Sequence, residues 1–127
     1  MMKFGNTAQK TGQGGERAAA NWYKKRGFRL IKQNYRTRLG EVDLILQKDG
    51  EWLVFAEVKT RSQNSLGQPC EAVDLRKQKK ILAAAQQFLQ RWPDTGEQVR
   101  FDVIEVFLDK KGMHQCECIE NAFDLRR

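Results

Sequence analysis

Two short segments hold the residues best suited to chemistry: Gly40-Glu41-Val42-Asp43 and Glu57-Val58-Lys59. Side chains two apart on a strand share a face. Glu57 and Lys59 therefore project together, while Val54, Ala56 and Val58 form an apolar opposite face. On the strand before, Glu41 and Asp43 share one face and Val42, Leu44 and Leu46 the other. Asp43 and Glu57, with the Val58 backbone carbonyl, make a hard-oxygen site for Mg²⁺ or Mn²⁺. Such an ion lowers the pKa of bound water and polarises a phosphoryl oxygen, as hydrolysis of a phosphodiester requires. Lys59 can contact the scissile phosphate or orient the attacking water. Without the ion, the two carboxylates repel and one takes up a proton.

Whether the charged faces coincide depends on the turn between the strands. A two-residue Asp49-Gly50 turn pairs Asp43 with Ala56 and sends the acids to opposite faces. A three-residue loop, Lys48-Asp49-Gly50, pairs Gln47 with Glu51 and Asp43 with Phe55. Asp43 and Glu57 are then diagonal neighbours, roughly 7–8 Å apart. Gly50 suits the left-handed third position of such a loop. We expect the three-residue loop, or a bulge of equal effect.

An isolated D/E-x-K triplet means little, and Asp109-Lys110-Lys111 also matches, in a turn. Glu57-Val58-Lys59 differs because it ends a strongly apolar strand with Asp43 one hairpin away. Glu16 precedes Ala19 and Tyr23 by three and seven residues, on the inward side of the first helix. It is a third acid for the site or a first-turn residue favoured by the helix dipole. Glu41 is a further ligand or a strand-end acid. Arg61 is placed for a bidentate phosphate clamp. Arg38, Lys77 and Gln78 are DNA-contact candidates, or wet basic surface. Asp102, flanked by Phe101, Val103 and Ile104, suits a core network. His114, Cys116 and Cys118 alternate on a strand and cannot wrap a zinc ion tetrahedrally. Trp22, Trp52 and Trp92 fit the core better than base stacking.

The elements that must position these residues follow from hydrophobic spacing. A helix from Gly15 to about Lys25 ends at Gly27. Strands at Phe28–Arg36, Val42–Gln47 and Trp52–Thr60 follow, then a polar loop over 61–73. Asp74 caps a helix to about Trp92, with Leu75, Leu82, Ala85 and Leu89 inward, and Pro93-Asp94-Thr95-Gly96 stops it. Strands Val99–Leu108 and His114–Ile119 complete the order α-β-β-β-α-β-β, an α/β fold with a mixed sheet flanked by helices. The 127 residues fit one domain over 14–120, with a flexible arm at 1–13 and a tail at 121–127.

No apolar run is long enough to span a membrane, and the N-terminus lacks a signal's apolar stretch. Three cysteines suit a reducing compartment, so a cytoplasmic location is expected. The net charge of +7 favours a polyanionic partner, with nucleic acid preferred over a membrane surface.

Taken in order, Gly15-Glu16, Gly40-Glu41-Val42-Asp43 and Glu57-Val58-Lys59-Thr60-Arg61 resemble the YraN family of small bacterial proteins. The resemblance continues through Leu75-Arg76-Lys77-Gln78-Lys79-Lys80 and Arg100-Phe101-Asp102-Val103, covering about residues 12–107. That family is regarded as similar to archaeal Holliday-junction resolvases of the PD-(D/E)xK nuclease superfamily. The resemblance implies a restriction-endonuclease-like core and divalent-metal-dependent cleavage of DNA, on branched or recombination substrates. It places the superfamily's helix acid on Glu16, its strand Asp on Asp43 and its E-x-K on Glu57 and Lys59. Val42 stands where the superfamily's name has proline. The alternatives are a non-catalytic DNA-binding module, or a homodimeric interaction protein built on the hydrophobic β residues near the C-terminus.

Overall fold

The computed structural model describes residues 7–61, 73–93 and 96–123. Its elements are α1 (Thr7–Lys24), β1 (Arg29–Arg36), β2 (Glu41–Lys48), β3 (Trp52–Arg61), α2 (Leu75–Arg91), β4 (Gln98–Leu108) and β5 (His114–Phe123). The order is the expected one. Five strands form one sheet in the order β1-β2-β3-β4-β5. Only β3 and β4 run parallel, joined by the crossover that contains α2. A mixed sheet with a helix on each face is compatible with a restriction-endonuclease-like core. Among the described residues no helix is long and apolar enough to cross a membrane.

Two boundaries differ by more than one residue from those read off the sequence. The first helix reaches back to Thr7, into the expected arm, because 7–13 is compatible with a helix while carrying no apolar stripe to announce it. The last strand runs to Phe123, into the expected tail: Phe123 is buried and pairs with Phe101. Most of the 61–73 loop, the middle of the Pro93–Gly96 stop and the end of the tail lie outside the described residues.

Alternation along the strands divides the core in two. On the α2 side, Ile45, Leu53, Phe55, Phe101 and Val103 pack against Ile81, Ala84, Ala85 and Phe88. On the α1 side, Leu44, Leu46, Val54, Ala56, Ile104 and Val106 pack against Ala19, Ala20 and Tyr23. Asp74 caps α2 as expected, accepting from the Lys77 N–H at 2.8 Å. The inward stripe of α2 is rotated from the expected one. Leu75, at the first turn, is exposed, Leu82 and Leu89 sit at the edge, and Ile81, Ala84, Ala85 and Phe88 fill the centre.

The β2–β3 hairpin corrects the expected register. Lys48 pairs with Trp52 and Ile45 with Phe55, so the loop is Asp49-Gly50-Glu51, one residue later than expected. Gly50 takes the left-handed conformation, and the Glu51 N–H closes the turn on the Lys48 carbonyl at 2.9 Å. The loop still has three residues, so the acids keep a common face. The pairing moves by two residues, and Asp43 comes to lie across from Glu57 instead of Phe55.

Near Asp43 the alternation breaks. Val42 packs on the α2 side with Ile45, away from Leu44 and Leu46. In β1, Asn34 adopts a positive φ between the pairs Gln33↔Leu44 and Tyr35↔Val42, so both strands switch face at one level. The β1–β2 turn that follows is docked on α2. A Cβ added at Gly40 would lie 1.8 Å from the Lys80 carbonyl oxygen. Gly40→Ala therefore forces the hairpin off the helix and is expected to cost about 3 kcal/mol in a urea midpoint measurement. Gly50→Ala meets nothing within 4 Å. It is expected to cost about 1 kcal/mol, from its left-handed backbone alone.

Candidate metal and phosphate site

Leu53 and Phe55 are buried under α2, and the same face of β3 continues as Glu57, Lys59 and Arg61. Apolar burial thus ends in charge at one end of the sheet. Glu57 is 8% exposed. The pairing between β2 and β3 stops at Leu44↔Ala56, and the Val58 N–H donates instead to Asp43 Oδ2 at 2.8 Å. That bond turns the Asp43 carboxylate in toward Glu57.

Burial pushes the Glu57 carboxyl pKa up, and the neighbouring Asp43 charge pushes it further, to about 7. Lys77, from the first turn of α2, opposes this with Nζ 3.4 Å from Glu57 Oε2. Burial in turn works against the Lys77 ammonium, but Glu57, Asp43 and Glu41 together outweigh it and raise its pKa. The three carboxylates therefore act on a single amine. Lys77, expected to be a DNA contact or wet surface, belongs to the acidic site.

Glu41 also pairs with Arg36 at 3.3 Å on the exposed surface. Glu16 stands on α1, where Gln33 Nε2 donates to it at 3.1 Å. Among the described residues no three His, Cys, Asp or Glu side chains converge closely enough to hold a metal ion. The structure thus brings together Asp43, Glu57 and Lys77, and holds Glu16 at Gln33. Arg61 lies on the site's face, and its Nη1 donates to both carboxylate oxygens of Glu105 at 3.0 and 3.1 Å. Gln78 donates to the Val73 carbonyl at 2.7 Å, bracing the start of α2. Arg38 borders a shallow cleft of about 230 Å³ with Arg36, Glu41 and Lys80.

Glu105, 2% exposed and level with Lys59 in the parallel register, was not visible in the sequence. Its one signal was a lone acid inside the apolar run Val103-Ile104-Glu105-Val106-Phe107. Asp102 anchors a separate network on the α1 side. It accepts from Tyr23 Oη at 2.8 Å, from Arg100 Nε and Nη2 at 2.9 Å each, and from the Asn121 N–H at 2.9 Å. The Cys118 thiol, pushed up to about 12 by burial, hydrogen-bonds in the same cluster. Trp92 stacks on Phe88 and Trp52 lies under Arg100.

The family model described as "Uncharacterised protein family UPF0102" matches residues 15–106. The chain belongs to this family. It is the YraN family that the sequence resembles. A UPF0102 protein of Alkaliphilus metalliredigens is 44% identical over 113 residues, 88% of this chain and 96% of that protein. One from Symbiobacterium thermophilum is 43% identical over 116 residues, covering 91% and 98%. One from Clostridioides difficile is 38% identical over 112 residues, covering 88% and 95%. The UPF0102 match runs from the start of the α1 packing face to near the end of β4, so both walls of the acidic site fall within it.

The raised Glu57 pKa predicts a pH dependence of folding in the metal-free protein. Between the ordinary carboxylate pKa and about 7, the folded state holds a proton that the unfolded state has released. Stability from this group is therefore greatest in acid and declines as pH rises toward about 7. With a chelator present, urea midpoints at about pH 5 and about pH 7 should show this decline in the wild type. Glu57→Gln should remove it.

Proposed function

We propose that this chain is a divalent-metal-dependent endonuclease that hydrolyses DNA phosphodiester bonds, on branched or recombination DNA. The observation that carries the reading is the pairing of Asp43 with a buried Glu57 whose proton affinity is raised to near neutrality. Two carboxylates forced together at a strand end are costly unless a cation joins them.

The donor set fits a hard cation. Asp43 and Glu57, with the Val58 carbonyl, would hold Mg²⁺ or Mn²⁺, and Glu16 and Glu41 are the further acids on neighbouring elements. When bound, the ion supplies Lewis-acid polarisation of the phosphate and a hydroxide at neutral pH. The chain's own groups do the rest. Lys59, two residues along the strand from Glu57, contacts the scissile phosphate or orients the water. Lys77 balances the acids until the cation arrives, then is free to meet phosphate. The surplus of positive charge, +7, draws the DNA backbone toward one of the acidic places on the surface. Arg38 and Gln78 flank the approach, and Arg61 fixes Glu105 beside Lys59.

The test pairs cleavage with metal binding. On a panel of duplex, flap, fork and four-way-junction DNAs, Mg²⁺ should support cleavage by the wild type. Asp43→Asn and Glu57→Gln should each lose on the order of a thousandfold in rate, since the ion contributes several kcal/mol. Calorimetry without DNA should show Mg²⁺ binding that releases a proton and tightens as pH rises through about 7, because Glu57 must ionise to ligate. DNA binding that is indifferent to metal, with no DNA form cleaved, would mark a non-catalytic module instead.

A further inference from the structure

A second cavity among the described residues lies away from the acids. It is a groove of about 680 Å³ between α1 and the turn from β4 into β5. Arg17, Asn21 and Lys25 stand along it at four-residue spacing, one row on the outer face of α1 and the turn that continues it. Trp22 and Arg26 form its floor at one end. The Arg26 guanidinium lies 3.6 Å from the centroid of the Trp22 ring and donates to the Trp22 carbonyl at 3.0 Å. His114 closes the opposite wall, where a Cβ on Gly14 would come within 3.5 Å of its ring.

No carboxylate lines this groove among the described residues, although the chain has 16 of them. Three cations face it. Arg17 and Lys25 are eight residues apart, roughly 12 Å of helix. One phosphate or one mononucleotide cannot meet both ends, whereas a chain carrying regular negative charge can. Asn21 between them offers a donor and an acceptor, which suits base edges better than the carboxylates of an acidic peptide. The groove also reaches β3, on the face opposite the acids. Its Gly14 end adjoins Gly15, whose added Cβ would lie 2.6 Å from Thr60 Oγ1, and Thr60 follows Lys59.

We infer that the groove binds a single-stranded segment of nucleic acid that leaves the duplex at the acidic site and passes over the end of β3 onto the α1 face. This rests on the endonuclease reading and deepens it: the substrate is DNA with a single-stranded branch or tail. The phosphates of that segment lie along Arg17 and Lys25, Asn21 meets a base edge, and a base stacks on the Arg26 guanidinium, whose other face covers the Trp22 ring.

The experiment compares the full-length wild type with Arg17→Glu/Lys25→Glu and with the milder Arg17→Gln/Lys25→Gln. Fluorescence anisotropy measures binding of a blunt duplex and of the same duplex with a single-stranded tail. The readout is the ratio of the two affinities on each protein. The wild type should gain about tenfold from the tail, the size of one or two stacked bases or phosphate contacts. The Glu pair should show no gain. The Gln pair should show a reduced gain and a salt slope on the tailed DNA smaller by about 1.4, two released counterions. Circular dichroism checks folding, and the Gln pair carries the test if the Glu pair unfolds. An undiminished gain in folded variants overturns the inference. So does displacement of the tail by polyglutamate as readily as by an oligonucleotide of equal charge, which would mark an acidic-peptide site. A wild type that binds blunt duplex but gains nothing from the tail overturns the groove alone. A wild type that binds no DNA overturns the endonuclease reading and this inference together.

Discussion

Past Leu44 and Ala56 the pairing between β2 and β3 stops, and the Val58 N–H is met by the Asp43 carboxylate at 2.8 Å. The bond is partly buried and gives that N–H the partner the sheet no longer supplies. It fixes one oxygen of Asp43 against the backbone of the strand that carries Glu57. From that single constraint the rest follows: Asp43 cannot swing away, Glu57 is 8% exposed under α2, and Lys77 leans in from the helix. The turn makes this possible. Three loop residues, not two, keep the acids on one face, and Gly50 supplies the left-handed backbone that such a loop requires.

The electrostatics of the site run against the chain as a whole. A protein of net charge +7 gathers Glu41, Asp43 and Glu57 around the first turn of α2, with one amine between them. Just beyond, Glu105 is buried and neutralised by Arg61. The contrast is informative. The Arg61–Glu105 pair is matched charge for charge, and the pair of half-buried Asp43 and buried Glu57 is not. Burial first, and then the charge of Asp43, push the Glu57 carboxyl pKa up to about 7.

Much of this was legible in the sequence, for identifiable reasons. The strand Trp52–Arg61 announces itself because β-branched and aromatic residues alternate around it, and its end is marked by Glu57-Val58-Lys59. The parity of the hairpin could be argued from Gly50 alone. The register could not, because sliding the loop by one residue leaves parity unchanged while moving every partner by two. The face switch at Asn34 and Asp43 was hidden for a related reason: strict period-two reasoning assumes an unbroken strand, so it put Val42 with Leu44. Lys77 and Glu105 were missed as members of the site because each joins it through the fold. The parallel β3–β4 register sets one and the docking of α2 on the sheet sets the other.

A further irregularity in the sheet sets the surroundings of Asp43 in contrast. Between Phe101 and Val103 the register of β4 against β5 shifts, Asn121 takes a positive φ, and its N–H donates to Asp102 Oδ1. The arrangement repeats that at Asp43. An aspartate carboxylate accepts a backbone N–H from a neighbouring strand, and a left-handed asparagine sits beside the break in each case. What surrounds the two carboxylates differs. Asp102 is fully buried, and Arg100 and Tyr23 supply its charge partner and its remaining hydrogen bonds. That is a closed network, held on β4 beside β3. Asp43 is half-buried, and the group it meets across the strand is another acid. The fold neutralises a buried aspartate completely on one face of the sheet and leaves its twin on the other face beside a glutamate, an imbalance that the proposed cation would relieve.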